Sequence, residues 1–237
     1  INALYYYFAG QHLYENGPWR EDVNWFTNGQ APVRTDPDFS LEKQGICEFP
    51  KGGYYFIRDA ANFSFIRCGK YKDRPAQADN LHLDIWVEGK NILRDAGTYK
   101  YNTDPKWIRY FNGTSAHNTV MLNGFDQMLK GPRFIWLHWT QAKAAYIRQT
   151  ADAWVFEGTI EAFGQVAPGI THHRKVINYK EKAQWEVEDV VNHATEHPIH
   201  QYWNISPDFE AMGFKIEAMD GQGNELAVQH QEGWYSG

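Results

Sequence analysis

Apolar and polar positions change their period once along this 237-residue chain. Near the start, Ala3, Leu4, Tyr7, Phe8, Gln11 and Leu13 recur at roughly helical spacing, and Asn16-Gly17-Pro18 supplies a stop. A second short helix is expected from Arg20 to Phe26, ahead of Asn28-Gly29, and the Pro- and Asp-containing stretch from Ala31 to Phe39 reads as a linker. From about Gly45 the period becomes two. Tyr54–Arg58 and Phe63–Arg67, separated by Asp59-Ala60-Ala61-Asn62, read as one hairpin; Leu81–Val87 and Asn91–Arg94, around Glu88-Gly89-Lys90, read as a second. Further strands are expected at Thr119–Leu122, Ala144–Arg148, Trp154–Ile160, Thr171–Asn178, Gln184–Val191 and His197–Ile205. Many strands with turn residues between them predict an all-β fold, an antiparallel β-sandwich preceded by a short helical segment. The expected division is 1–40 for the helical segment and linker and 41–237 for the sandwich.

Composition changes the picture in three places. Aromatic residues make up 16% of the chain, with 10 Trp, 14 Tyr and 14 Phe, which suits a β-rich core and leaves some to line a cleft for sugar rings. The net charge of −6 argues against broad capture of nucleic acid or anionic membranes, so any acidic ligand must be met locally. Lys100, Lys106 and Arg109, and further on Lys130, Arg133, Lys143 and Arg148, are the available cations. Cys47 and Cys68 do not make a disulfide framework and are expected as free, buried thiols. No apolar run is long enough for a transmembrane helix. The start at Ile1-Asn2-Ala3 does not read as a signal peptide but as a chain entered midway.

The candidate chemistry lies in three polar clusters, each beside a β-like run. In Ala78-Asp79-Asn80-Leu81-His82-Leu83-Asp84-Ile85, strict alternation puts Asp79, Leu81, Leu83 and Ile85 on one face and Asn80, His82 and Asp84 on the other. His82 then reads either as a half-exposed strand histidine bonded to a neighbouring acid or as a substrate-binding group. Asp95 ends a strand before Ala96-Gly97, and His117-Asn118 follows the loop Asn112-Gly113-Thr114. If their strands are neighbours, Gln77, Asp95 and His117 could converge as oxygen and nitrogen ligands of a type zinc accepts, although Gln is a poor zinc ligand. His172 and His173 point to opposite faces of a strand and cannot act as one chelate, and no periodicity joins His193, His197 and His200.

Together the stretches Pro75-Ala76-Gln77-Ala78-Asp79, Asp95-Ala96-Gly97 and Ala116-His117-Asn118-Thr119-Val120 resemble the signature of the heparinase II/III-like polysaccharide lyases, in their C-terminal β-domain. His173-Arg174 followed by Trp185 to Asp189, and Tyr202-Trp203-Asn204-Ile205-Ser206-Pro207, extend the likeness over roughly 45–208. Two histidines of the family's first segment are Pro75 and Gln77 here, while Asp95 and His117 carry over. The resemblance implies a supersandwich-like β-domain packed on an N-terminal α/α toroid, with 1–40 as the toroid's end or the linker from it. It also implies an acidic polysaccharide as partner, a bacterial periplasmic or secreted setting, and a structural zinc held by residues matching Gln77, Asp95 and His117.

The implied reaction is β-elimination at a uronic acid: one group neutralises the carboxylate, a base takes the C5 proton, and an acid protonates the departing glycosidic oxygen. Most of those groups belong to the toroid, so the fragment alone is expected to be inactive. From this domain the expected catalytic residues are Tyr101, Tyr99 and His117; Gln77, His82, Lys100 and Arg109 are the expected substrate contacts. A phenol titrates near pH ~10 and needs nearby positive charge to act as a base. A non-catalytic carbohydrate-binding or structural β-domain is the alternative. A hydrolase using Asp79 or Asp84 with Asp95 ranks last.

Overall fold

The computed structural model describes residues 2–14, 16–31, 44–100, 102–194 and 196–231. Contacts divide the chain into two compact units, residues 1–43 and 44–237. In the first, helix α1 (Asn2–Ala9) stops at Gly10, whose φ of +68° is left-handed backbone. The helix expected to continue through Leu13 therefore ends before it, and the Leu13 N–H is capped instead by Asn2 Oδ1 at 2.9 Å. A 3₁₀ turn over Pro18–Arg20 leads into α2 (Glu21–Thr27), which closes on left-handed Asn28.

The second unit is a β-sandwich. Its first sheet is an antiparallel meander in chain order: β1 (Gly45–Phe49), β2 (Tyr54–Arg58), β3 (Asn62–Arg67), β4 (Leu83–Val87) and β5 (Lys90–Leu93). The β2–β3 turn forms because Asp59 Oδ1 accepts the N–H groups of Ala61 and Asn62, at 3.0 and 2.7 Å. Alternation then buries Tyr55, Ile57, Ser64 and Ile66. The outward face carries stacked rings, Phe56 against Phe65 at 5.3 Å and Tyr54 against Phe65 at 5.9 Å.

Helix α3 (Pro105–Asn112) lies between β5 and the next strand in sequence and was not among the expected elements. Asp104 caps it by accepting the Lys106 N–H at 2.9 Å, and Pro105 sits at its first turn. After β6 (Val120–Leu122) and the small hairpin β7 (Leu129–Lys130) and β8 (Trp136–Leu137) comes the second sheet. It runs β9 (Gln141–Gln149), β10 (Ala153–Glu161), β11 (Thr171–Tyr179) and β12 (Trp185–Asn192), all antiparallel neighbours. β13 (Ile199–Gln201) pairs with β6, and α4 (Pro207–Ala211) follows.

The inner faces share one core, with Ile57, Ile66, Leu83 and Ile85 from the first sheet meeting Phe156, Ile160 and Val176 from the second. Ser64 Oγ ties the layers, accepting from Asn178 Nδ2 at 3.1 Å and Trp185 Nε1 at 2.9 Å. Cys47 and Cys68 are both free, but only Cys68 is buried; Cys47 is exposed because β1 is an edge strand. No helix among the described residues is long and apolar enough to cross a membrane.

Two expected strands are shorter than their periodicity suggests, for reasons that matter to the site. β4 begins at Leu83 because Leu81 adopts φ +62° and the His82 N–H closes a turn onto Asp79 O at 3.0 Å. Asn80, Leu81 and His82 are all buried, so the expected polar row does not form. The strand expected over His197–Ile205 is reduced to β13. Beyond it the Tyr202 N–H still reaches Thr119 O, but the chain then crosses to β5, where Asn204 O accepts the Arg94 N–H and Ile205 bridges Leu93.

Candidate functional site

Asn118 is where the three polar clusters meet. Its backbone N–H donates to His82 Nδ1 at 2.9 Å, and its Nδ2 donates to the carbonyls of Leu83 and Arg94 at 2.8 and 3.2 Å. Its Oδ1 accepts the Asn204 N–H at 2.5 Å. One fully buried amide thus joins the segment before β4, the end of β5, the loop before β6 and the segment after β13. A buried amide with every group bonded fixes a unique local arrangement.

Against this hub stand Asp95 and His117. The Ala96 N–H reaches Ala116 O at 3.1 Å, which brings the two segments together. His117 has no exposed surface; its Nδ1–H donates to Gly113 O at 2.7 Å, and its Nε2 lies 3.1 Å from Asp95 Oδ2. That approach is an ion-pair distance but too bent for a well-aligned hydrogen bond. Burial alone would depress the imidazole, yet Asp95 outweighs it and holds His117 above its ordinary value. Burial likewise pushes Asp95 up, and His117 together with the Gly97 N–H (2.5 Å) more than reverses this, leaving the carboxyl below its ordinary value. The Asp95 side chain is 36% exposed. Of the two, only the acid faces solvent.

His82 is buried rather than half-exposed. Accepting at Nδ1 puts its proton on Nε2, 3.9 Å from Asp84 Oδ2, and its ring meets His117 edge-on at 5.6 Å. Gln77 is half-buried in a loop anchored by Ala78 N–H to Asn112 O at 2.9 Å. Among the described residues it makes no hydrogen bond to Asp95 or His117. Asp79 is held by the Tyr71 hydroxyl at 2.7 Å and by Arg67 at 3.7 Å, and Asp84 accepts from Asn91 at 2.8 Å. Neither acid is left open to act with Asp95 as a glycosidase pair.

The zinc expectation can be set against this donor set. His117 and Asp95 offer one nitrogen and one oxygen, and no group of three His, Cys, Asp or Glu suited to a metal occurs among the described residues. Zinc takes three or four firm protein ligands. The residues present do not fit it. His193, His197 and His200 likewise form no such group.

Tyr101 lies outside the described residues. Tyr99 stacks on Phe111 at 6.1 Å and meets Trp107 edge-on at 6.2 Å, both on α3, with the Lys100 ammonium 5.1 Å from its ring centre. Lys106 covers Trp107 in the same way, at 5.1 Å. Arg109 is exposed in the last turn of α3.

A second group of cations gathers at the β7–β8 hairpin. Lys130 lies 4.8 Å over the Trp136 ring and donates to Arg133 O at 2.6 Å, while Arg74 lies 5.4 Å from the Phe134 ring. Trp136 Nε1 donates to Ala76 O at 3.2 Å, tying this hairpin to the Gln77 loop. Burial, then Arg74 and Arg109, hold the Lys130 ammonium below its usual value. Lys143 and Arg148 are instead paired across β9–β10 with Glu161 and Glu157.

Sequence reading did not find Asn118 as a hub, nor the buried group behind it. Arg174 is fully buried and clamps Asp189 with Nε and Nη2, at 2.8 and 2.7 Å, and His172 Nε2 meets the same acid at 2.7 Å. Burial acts against the Asp189 charge, but Arg174 and then His172 hold its carboxyl far below the usual range. The available signal was an arginine on the inward face of β11, in phase with His172, Val176 and Asn178.

Comparison with known proteins gives a concordant picture. A family model described as "Heparinase II/III-like, C-terminal" matches residues 43–236. A heparin-sulfate lyase of Bacteroides stercoris is 30% identical over 82 residues, 32% of this chain and 12% of the relative. A solved heparinase III gene product superposes with a TM-score of 0.56 at 17% identity, over 84% of this chain and 28% of its own. The heparan sulfate lyase HepC from Pedobacter heparinus gives 0.48 at 18% identity, over 72% and 26%. The chain thus spans only 12% of that curated relative and 28% of the heparinase III. With the model covering nearly the whole sandwich, this chain belongs to the heparinase II/III-like C-terminal domain family.

Proposed function

We propose that this domain forms one wall of the substrate groove of a polysaccharide lyase that cleaves a uronate-containing, heparan-sulfate-like glycan by β-elimination. The supporting observation is Asp95, a half-exposed carboxylate backed by a buried imidazole at 3.1 Å and bonded to the Gly97 N–H that starts the Tyr99 loop. Asp95 fixes the start of this loop at Gly97, and His117 fixes Asp95. Tyr99 and Tyr101 are the proton-transfer candidates of this stretch, and Lys100, between them in sequence, brings a cation to the Tyr99 ring. Gln77, Lys100 and Arg109, with Arg74 and Lys130, meet the acidic groups of the sugar; His82 acts from beneath, through Asn118.

In the reaction the C5–H bond breaks, its electrons form the C4=C5 double bond, the C4–O bond breaks and the departing oxygen takes a proton. The groups that neutralise the uronate and complete the acid–base pair belong to a preceding α/α toroid. A bacterial periplasmic or secreted setting is part of the same proposal. The test is to incubate full-length protein with heparan sulfate and follow the ultraviolet absorbance of unsaturated uronate. Rising absorbance supports the reading; none with any acidic glycan sinks it.

A non-catalytic glycan-binding domain is the second reading. It is favoured by Pro75 and Gln77 at the family's histidine positions and by the absence of exposed surface on His117. Glycan binding by the full-length protein without cleavage would select it.

A further inference from the structure

We propose that Arg174 is a positioning residue for the Asp95–His117 site, acting through the carbonyls of Leu81 and Asn118. As a role in catalysis this rests on the lyase reading; as a mechanical link it does not. Arg174 Nη1 donates to Leu81 O at 2.7 Å and to Asn118 O at 2.5 Å. Leu81 immediately precedes His82, and Asn118 immediately follows His117. One guanidinium therefore holds both histidine-bearing segments at once.

Several features argue that this edge of the guanidinium is more than charge compensation for Asp189. That acid is already met by Arg174 Nε and Nη2, by His172 Nε2 and by Gln201 Nε2 at 2.8 Å. Nη1 is not needed there, and it is the donor that reaches the two carbonyls. A planar fork can serve a carboxylate on one side and carbonyls on the other; a lysine cannot. Leu81 needs such a hold, because its φ of +62° is unfavourable for a branched side chain. Its N–H is fixed at 2.6 Å to Arg67 O and its carbonyl by Arg174, so the strained peptide is pinned at both ends.

The link continues to the site. With its carbonyl gripped, the Asn118 residue presents its N–H to His82 Nδ1 and its side chain to Leu83, Arg94 and Asn204. Arg94 directly precedes Asp95. Trp203 lies 5.3 Å from the guanidinium carbon and closes the far side. The second sheet, through β11 and β12, thus sets where Asp95 stands in the groove.

Arg174→Lys in the full-length protein tests this. Lysine keeps a positive charge beside Asp189 and loses the two-carbonyl grip. Circular dichroism should show the sandwich intact, and hydrogen exchange at the Asn118 amide should rise at least about tenfold while amides of β2–β3 stay protected. On heparan sulfate, kcat should fall about 100-fold with KM within about twofold, the pattern of a misplaced group rather than a lost contact. Unchanged exchange at Asn118 overturns the link, and loosened exchange with unchanged kcat overturns the positioning role. A wild-type protein without lyase activity would sink the lyase reading while leaving the exchange arm to decide the link. If the variant does not fold, native-state exchange of the wild type decides. The Asn118 amide should open only in the same event as the β11 amides, and an independent local opening overturns the proposal.

Discussion

His117 Nε2 approaches Asp95 Oδ2 to 3.1 Å, with the imidazole wholly buried and the carboxylate partly in solvent. The pair is polarised by that asymmetry: the proton is held inside and the negative charge is presented outward. It also makes the local stability depend on pH from both sides. His117 is raised, so its contribution is full below the ordinary imidazole value of about 6.5 and is lost as pH climbs through the raised one. Asp95 is lowered, so its contribution is full above about 3.9 and is lost as pH falls through the lowered one. The difference in melting temperature between wild type and His117→Gln should therefore be largest between about pH 4 and 6.5 and shrink on either side. A difference that grows steadily towards pH 9 would contradict the pairing.

Ser64→Ala should destabilise the sandwich by about 1–3 kcal/mol, because it strands two donors, Asn178 Nδ2 and Trp185 Nε1, between the sheets. Urea unfolding measures this. A cost below about 0.5 kcal/mol would show that the inter-sheet bonds are readily replaced.

The two thiols should behave differently. Burial, opposed only in part by Arg67, pushes Cys68 up to about 12, and the residue is 2% exposed. Cys47 is exposed. A thiol reagent at neutral pH should modify Cys47 in the folded protein and reach Cys68 only after denaturant is added. Equal labelling rates would rule this out.

Lys130 at the β7–β8 hairpin and Arg109 in the last turn of α3 should act on acidic glycan together. Lys130→Gln and Arg109→Gln are each expected to weaken heparan sulfate binding about 3- to 10-fold at low salt, with the loss fading as salt rises. Lys143→Gln, whose lysine is paired with Glu161 on β9–β10, should leave binding unchanged. Titration calorimetry at two ionic strengths separates these outcomes. Equal losses from all three variants would mean that net charge, not these two positions, governs binding.

Local pattern carried much of the fold but only part of the site. The β2–β3 hairpin was legible because period-two alternation and the Asp59 turn agree. Alternation misled at Asp79–His82, where Leu81 turns left-handed and hides both Asn80 and His82. Helix α3 was not among the expected elements, although Asp104-Pro105 is a cap and first-turn pair. In the site, Asp95 and His117 could be placed together because each sits at a glycine-bearing strand end. Asn118 and Arg174 could not, since their bonds join residues 15 to 93 positions apart. Such long-range contacts leave no periodic trace. Gln77 was aligned with a ligand position, but sequence could not show that its side chain makes no hydrogen bond to the Asp95–His117 pair.

The most direct measurement is the rate at which full-length protein forms unsaturated uronate from heparan sulfate, wild type against Asp95→Asn. Asparagine keeps the shape of the side chain and removes the charge that holds His117 and helps order the Tyr99 loop. The account predicts unsaturated product from the wild type and a fall of about 100-fold or more in kcat for the variant, with heparan sulfate still bound. An unchanged rate in the variant, or no unsaturated product from the wild type, would contradict it.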